Sequence, residues 1–148
     1  MGGTDDKTVL VVEDDRANLM LMGDVLVAHG YRVLQANHAR AALNLAKEHR
    51  PDLILMDIRL PEVSGLSLTR TLKADKGLRK IPVVAVTAYA MSGDRDRALT
   101  SGCQAYLAKP FTCDELIDTV HAIIGPGAGS GHPGSGRDAA YSSRHSTA

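Results

Sequence analysis

The sequence predicts an α/β fold: a doubly wound, five-stranded parallel sheet in the order 2-1-3-4-5. Three observations predict it. Short apolar runs alternate five times with stretches of helical spacing, and alternation of this kind forces parallel pairing with helices on both faces. The runs at 9–12 and 53–56 are apolar throughout, the pattern of strands buried on both sides. The polar residues Glu13, Asp14, Asp57, Thr87 and Lys109 all fall where such runs end. In open parallel sheets the carboxyl ends of the strands are where ligands bind.

The elements follow in order. Val9-Leu10-Val11-Val12 is the first strand, closed by Glu13-Asp14-Asp15. Asp15 is an N-cap for a helix that places Leu19, Met22 and Leu26 on one stripe and stops at Gly30. Residues 31–36 form a second strand. Ala39, Ala42, Leu43 and Ala46 recur at helical spacing, and that helix ends before Pro51. The third strand runs through Leu53-Ile54-Leu55-Met56 to Asp57, and Pro61 ends regular structure. Ser64-Gly65 opens a helix with Leu68 and Leu72 inward. Residues 81–86 are the fourth strand, with Thr87-Ala88 at its end. A helix from Met91 to Ser101 has a thin apolar face, Ala98 and Leu99. Residues 104–108 are the fifth strand, ending at Lys109-Pro110. A capping box, Thr112 to Glu115, starts the last helix, which buries Leu116, Ile117, Val120, Ile123 and Ile124.

The domain organisation expected is a flexible N-terminus over 1–6, one domain over 7–124 and a disordered Gly/Ser-rich tail over 125–148. The tail composition does not bury enough apolar surface to offset its ordering entropy. At 148 residues the chain has room for one domain of ordinary size. With one Phe and no Trp, the core is built from Val, Ile, Leu, Met and Ala.

Lys and Arg number 17 and so do Asp and Glu, so bulk charge favours neither nucleic acid nor an acidic membrane. No apolar run approaches the ~20 residues of a membrane span. The polar start, Met1 to Lys7, lacks a signal-peptide core, and a cytoplasmic protein is expected. Cys103 and Cys113 make neither a disulfide framework nor a metal pair, and the six histidines show no ligand spacing.

With strand 1 central, strands 1 and 3 meet where the winding reverses, bringing Glu13, Asp14 and Asp57 together. Three carboxylates in one pocket stay ionised only if a cation joins them. Hard oxygen donors with room for water describe Mg2+ better than a transition metal. Thr87 and Lys109 edge the same pocket from strands 4 and 5. A hydroxyl and an ammonium there suit a phosphoryl group, with Asp57 as the nucleophile that forms an acyl phosphate. The plainer alternatives are ordinary: Thr87 as a helix cap, Lys109 as a solvated lysine, the acids as a helix N-terminus.

These residues carry a resemblance. Over about residues 7–124 the chain resembles the receiver domains of two-component response regulators, on Glu13-Asp14, Asp57 with Leu60-Pro61 and Ser64-Gly65, Thr87-Ala88 and Lys109-Pro110. The resemblance implies a flavodoxin-like and CheY-like three-layer sandwich and a phosphorylation switch without separate enzyme turnover. It implies that Asp57 accepts the phosphoryl group and that Asp14, Glu13 (largely through water) and the Arg59 carbonyl serve Mg2+. It further implies that Thr87 bonds the phosphoryl oxygen, Lys109 pairs with it, and Tyr106 turns inward past small Ala88. Family members commonly have a cis bond before the proline matching Pro110. The implied partners are a histidine kinase or histidine phosphotransfer protein, and a downstream protein on the face of helix 4, strand 5 and helix 5. DNA binding is not implied, since no effector domain follows in the sequence. The pattern is closest to single-domain members, some of which control the cell cycle. A rival reading is a phosphorylation-independent adaptor on the same fold, for which the intact acids, Thr87 and Lys109 would be superfluous. A dehalogenase-type phosphatase would want an acid where Arg59 stands.

Overall fold

A computed structural model describes residues 6–60, 62–88 and 93–128. Its elements are β1(Thr8–Val12), α1(Arg16–Ala28), β2(Arg32–Ala36), α2(Ala39–His49), β3(Leu53–Asp57), α3(Gly65–Ala74), β4(Val83–Thr87), α4(Asp94–Thr100), β5(Ala105–Ala108) and α5(Cys113–Ile124). The five strands form one parallel sheet in the order β2-β1-β3-β4-β5, as the alternation predicts.

Each face of the sheet carries its own core. On one side Val9, Val11, Leu53, Leu55, Val84 and Val86 pack under α1 and α5. On the other, Leu10, Val12, Ile54, Met56, Val83 and Ala85 pack under α2, α3 and α4. Every residue of β3 and β4 is buried, which is why these strands read as unbroken apolar runs. Burying each Leu or Ile is worth about 1.5–3 kcal/mol, so these two strands anchor the site that grows from their ends.

The helix starts follow their capping chemistry. Asp15 accepts from the Asn18 amide, Ser64 from Ser67, and Thr112 and Glu115 close the expected capping box. His38 caps α2 by accepting from Ala41, a role the sequence reading did not assign.

Some boundaries differ from expectation for physical reasons. β2 starts at Arg32 because Tyr31 is 3% exposed and its hydroxyl donates to the Gly125 carbonyl at 2.6 Å. β4 starts at Val83 and includes Thr87; Pro82, with no N–H to give a ladder, accepts from Ile54 at 2.9 Å instead. α4 starts at Asp94, and the expected Met91 start lies outside the described residues. Leu99 was expected inward; it is 43% exposed, and Ala98 alone of that pair is buried.

The expected end of the domain fell at Gly125, yet residues 125–128 lie against the α1–β2 turn. The Ala128 amide donates to the Gly30 carbonyl at 3.0 Å, and Lys7 Nζ donates to the Pro126 carbonyl at 3.2 Å. Gly127 is buried, and a Cβ there would lie 2.6 Å from the Gly30 carbonyl carbon. The reading had weighed only the entropy of a Gly-rich segment, whereas glycine also lets two backbones touch. Residues 1–5, Pro61 and the rest of the tail, 129–148, lie outside the described residues.

Candidate functional site

β1 and β3 are neighbours in register, Val12 beside Met56, so the residues that follow them share one edge of the sheet. Carboxylate oxygens of Glu13, Asp14 and Asp57 lie within 4.8 Å of one another. Glu13 is 1% exposed, Asp57 is 4% exposed, and Asp14 stands at the surface. The backbone holds the two buried acids. Asp15 N–H donates to Glu13 Oε2 at 3.1 Å, and Arg59 N–H donates to Asp57 Oδ1 at 3.0 Å.

β4 and β5 bring the other two groups. Asp57 pairs with Val86 in the register, and Thr87 pairs with Ala108. Thr87 is completely buried. Lys109 is tied to the end of β4 by its own amide, which donates to the Thr87 carbonyl at 2.7 Å. Its ammonium lies 2.6 Å from Glu13 Oε1 and 3.5 Å from Asp57 Oδ2. The Lys109–Pro110 peptide bond is cis, as expected from the resemblance. Ala88 is exposed, and Tyr106 is half-buried on the α2–α3–α4 face, opposite Ala85 in the register.

The electrostatics follow from this crowding. Burial pushes the Glu13 carboxyl up; the Lys109 hydrogen bond pulls it down and neighbouring Asp57 pushes it up again, with a net rise. Burial on its own would lower Lys109, but its bond to Glu13 and the charge of Asp57 outweigh that and raise it. One ammonium thus partly neutralises three carboxylates. The remaining negative charge, presented by hard oxygens of which one is at the surface, fits a small divalent cation such as Mg2+, with Glu13, Asp14 and Asp57 as the holding residues.

Beside the acids an open cleft of about 500 Å³ is lined by Asp14, Asn37, His38 and Glu62. Glu62 takes a left-handed backbone, φ 68°. The sequence reading missed Asn37, His38 and Glu62; their signal is only that each follows the end of a strand. It did single out Glu13, Asp14, Asp57, Arg59, Thr87, Ala88, Tyr106 and Lys109. The fold brings Glu13, Asp14, Asp57 and Lys109 together, with the Arg59 amide on Asp57 and Thr87 one residue past its register partner. No helix among the described residues is long and apolar enough to cross a membrane.

Residues 9–121 match the family model of the response regulator receiver domain. The polar-differentiation response regulator DivK of Brucella anthropi is 50% identical over 119 residues, which cover 80% of this chain and 97% of that protein. DivK of Brucella ovis matches to the same extent. Among solved structures, the receiver domain of a Pseudomonas aeruginosa sensor histidine kinase, described with a magnesium ion coordinated in its active-site cleft, has a TM-score of 0.76 at 39% identity and covers 81% of this chain and 98% of that one. A chemotaxis protein of Vibrio cholerae, at 24% identity and TM-score 0.76 over 80% of this chain and 98% of that one, shares the fold. By sequence and by fold alike, the chain belongs to the response regulator receiver domains of two-component signalling.

Proposed function

We propose that this receiver domain is a phosphorylation switch whose acceptor is Asp57. The observation that supports it is the meeting of Asp57 with Glu13, Asp14 and Lys109 at one strand edge, from four separate parts of the chain. Positioning and charge neutralisation are most of what phosphoryl transfer asks of a protein.

The donor is a phosphohistidine on a histidine kinase or histidine phosphotransfer protein. The Arg59 amide fixes Asp57 Oδ1, which leaves Oδ2, on the Lys109 side, to attack phosphorus. The new O–P bond forms as the P–N bond breaks, and the imidazole leaves with the electron pair of that bond. Lys109 exchanges part of its contact with Glu13 for a phosphoryl oxygen. Thr87 turns its hydroxyl to donate to another. Tyr106 then moves toward the space Thr87 vacates, past Ala88, and alters the face of α4, β5 and α5 that a downstream protein reads. Mg2+, held by Glu13, Asp14, Asp57 and the Arg59 carbonyl, supplies charge neutralisation on the phosphoryl oxygens. The chain catalyses its own modification and turns over no separate substrate. The polar N-terminus and lack of a signal-peptide core support a cytoplasmic setting, and the likeness to DivK supports an output in polar differentiation, with control of the cell cycle as its extension.

The test is incubation with acetyl phosphate and Mg2+ followed by intact mass. Wild type gains one phosphoryl group and Asp57→Ala gains none. No gain in wild type, or an equal gain in the variant, refutes the assignment. Equal affinity for a partner with and without beryllofluoride would favour the adaptor.

A further inference from the structure

α4 is fastened at one end only. The other four helices begin on a residue whose side chain caps them, Asp15, His38, Ser64 and Thr112. α4 begins on Gly93 at φ 82°, with no side-chain cap. Arg95, Asp96, Arg97, Leu99 and Thr100 are exposed, and Ala98 is completely buried.

The turn that follows is held from α3. Arg70 Nη1 donates to Ser101 Oγ at 3.1 Å, and Ser101 is 7% exposed. Cys103 Sγ lies 3.9 Å from Thr69 Oγ1, the hydroxyl of a fully buried residue. Lys73 runs under the turn so closely that a Cβ on Gly102 would lie 2.8 Å from its Cγ. The Lys73 ammonium is pinned by the carbonyls of Arg79 and Ile81, at 3.1 and 2.7 Å. α3 is in turn seated on the proposed acceptor. Gly65 N–H donates to Ile58 O at 2.9 Å, Thr69 Oγ1 donates to Gly65 O at 2.8 Å, and a Cβ at Gly65 would lie 2.2 Å from the Asp57 carbonyl oxygen.

We propose that the Ser101–Cys103 turn is a fixed pivot, clamped by Thr69 and Arg70, about which the Gly93 end of α4 swings. This rests on the phosphoacceptor reading for what drives the swing. α3 is a strut that refers the pivot to the backbone of Asp57, so the helix moves as a lever and does not translate. Thr69 and Arg70 are positioning residues: they set which end moves and leave the acceptor chemistry alone.

Amide exchange followed by NMR on the full chain tests it. In the unmodified protein the Cys103 amide, bonded to Ala98 O, exchanges about tenfold or more slowly than the Arg97 amide, bonded to Gly93 O. Thr69→Val and Arg70→Met each speed Cys103 toward Arg97 and leave the Leu116 amide of α5 unchanged; Thr69→Ser, which keeps the hydroxyl, restores the contrast. With acetyl phosphate and Mg2+, amide shifts change at Arg97 and stay in place at Cys103; in the Val and Met variants the change spreads to Cys103 at unchanged mass gain. Equal exchange at the two amides in wild type, or a contrast indifferent to both variants, overturns the pivot. If mass shows no phosphate on Asp57, the function proposed above falls, and the exchange contrast still decides the pivot.

Discussion

The two ends of the sheet are built on opposite principles. At the carboxyl end Glu13, Asp14, Asp57 and Lys109 crowd ionic groups within a few ångströms. At the amino end the closest approaches are between neutral backbones, Gly30 against Gly127 and Ala128, with Tyr31 bonded across to Gly125. Like charges held together oppose folding, while a dry backbone crossing with its hydrogen bonds made favours it. The difference teaches a division of labour: one pole tolerates repulsion because it has chemistry to do, and the other compensates by closing the fold.

Gly30→Val is the strongest way to break this comparison. A Cβ at Gly30 would lie 2.0 Å from the Ala128 carbonyl oxygen, and φ is 89° there. The expected loss is about 3 kcal/mol in urea unfolding, with phosphorylation unchanged under conditions where the variant is folded. A loss below about 1 kcal/mol would show that the crossing does little for the fold.

Lys109→Met probes the other pole. Phosphorylation by acetyl phosphate should slow about 10²-fold, as when one preorganised positive group is removed from a site of developing charge. Mg2+ should bind the variant more tightly, because the ammonium occupies the same oxygens of Glu13 and Asp57. Calorimetric titration with Mg2+ decides; weaker binding would mean that Lys109 shapes the site more than it competes for it.

Tyr31→Phe sharpens the comparison with the smallest effect, about 1 kcal/mol near neutral pH for one hydrogen bond. Burial, opposed by a backbone bond from Gly127, raises the Tyr31 hydroxyl from 10.0 to about 12. The folded protein therefore keeps a proton that the unfolded chain releases near pH 10. That contribution is whole below pH 10 and is lost as pH rises through about 12. Wild type should lose stability more steeply than the variant in this alkaline window, by chemical denaturation at a series of pH values. Parallel curves would place the hydroxyl in water.

The same contrast explains what was legible in the sequence. The carboxyl pole was readable because parallel strands align their ends: once 9–12, 53–56 and 83–86 read as buried runs, Glu13, Asp57 and Thr87 had to meet. The caps Asp15, Ser64 and Thr112 were readable because capping is local. The geometry inside the site was not. Lys109 turns more closely to Glu13 than to Asp57, a choice made by side-chain packing that spacing does not encode. The amino pole was hidden for a different reason. Gly125 to Ala128 reads as linker because composition records what glycine lacks, whereas the crossing uses the space that glycine leaves. Leu99 misled in the opposite sense: its apolar side chain fits a helical stripe, yet α4 meets the sheet side through Ala98 alone of that pair.

The backbone crossing at Gly30 has a practical corollary. Lys7 and Ala128 both stand at the amino edge of the strands, and a five-residue strand of roughly 16 Å separates that edge from Asp57. A fluorophore or affinity handle joined downstream of Ala128 begins its course on the far hemisphere, so reporters grafted there leave a docking kinase unobstructed.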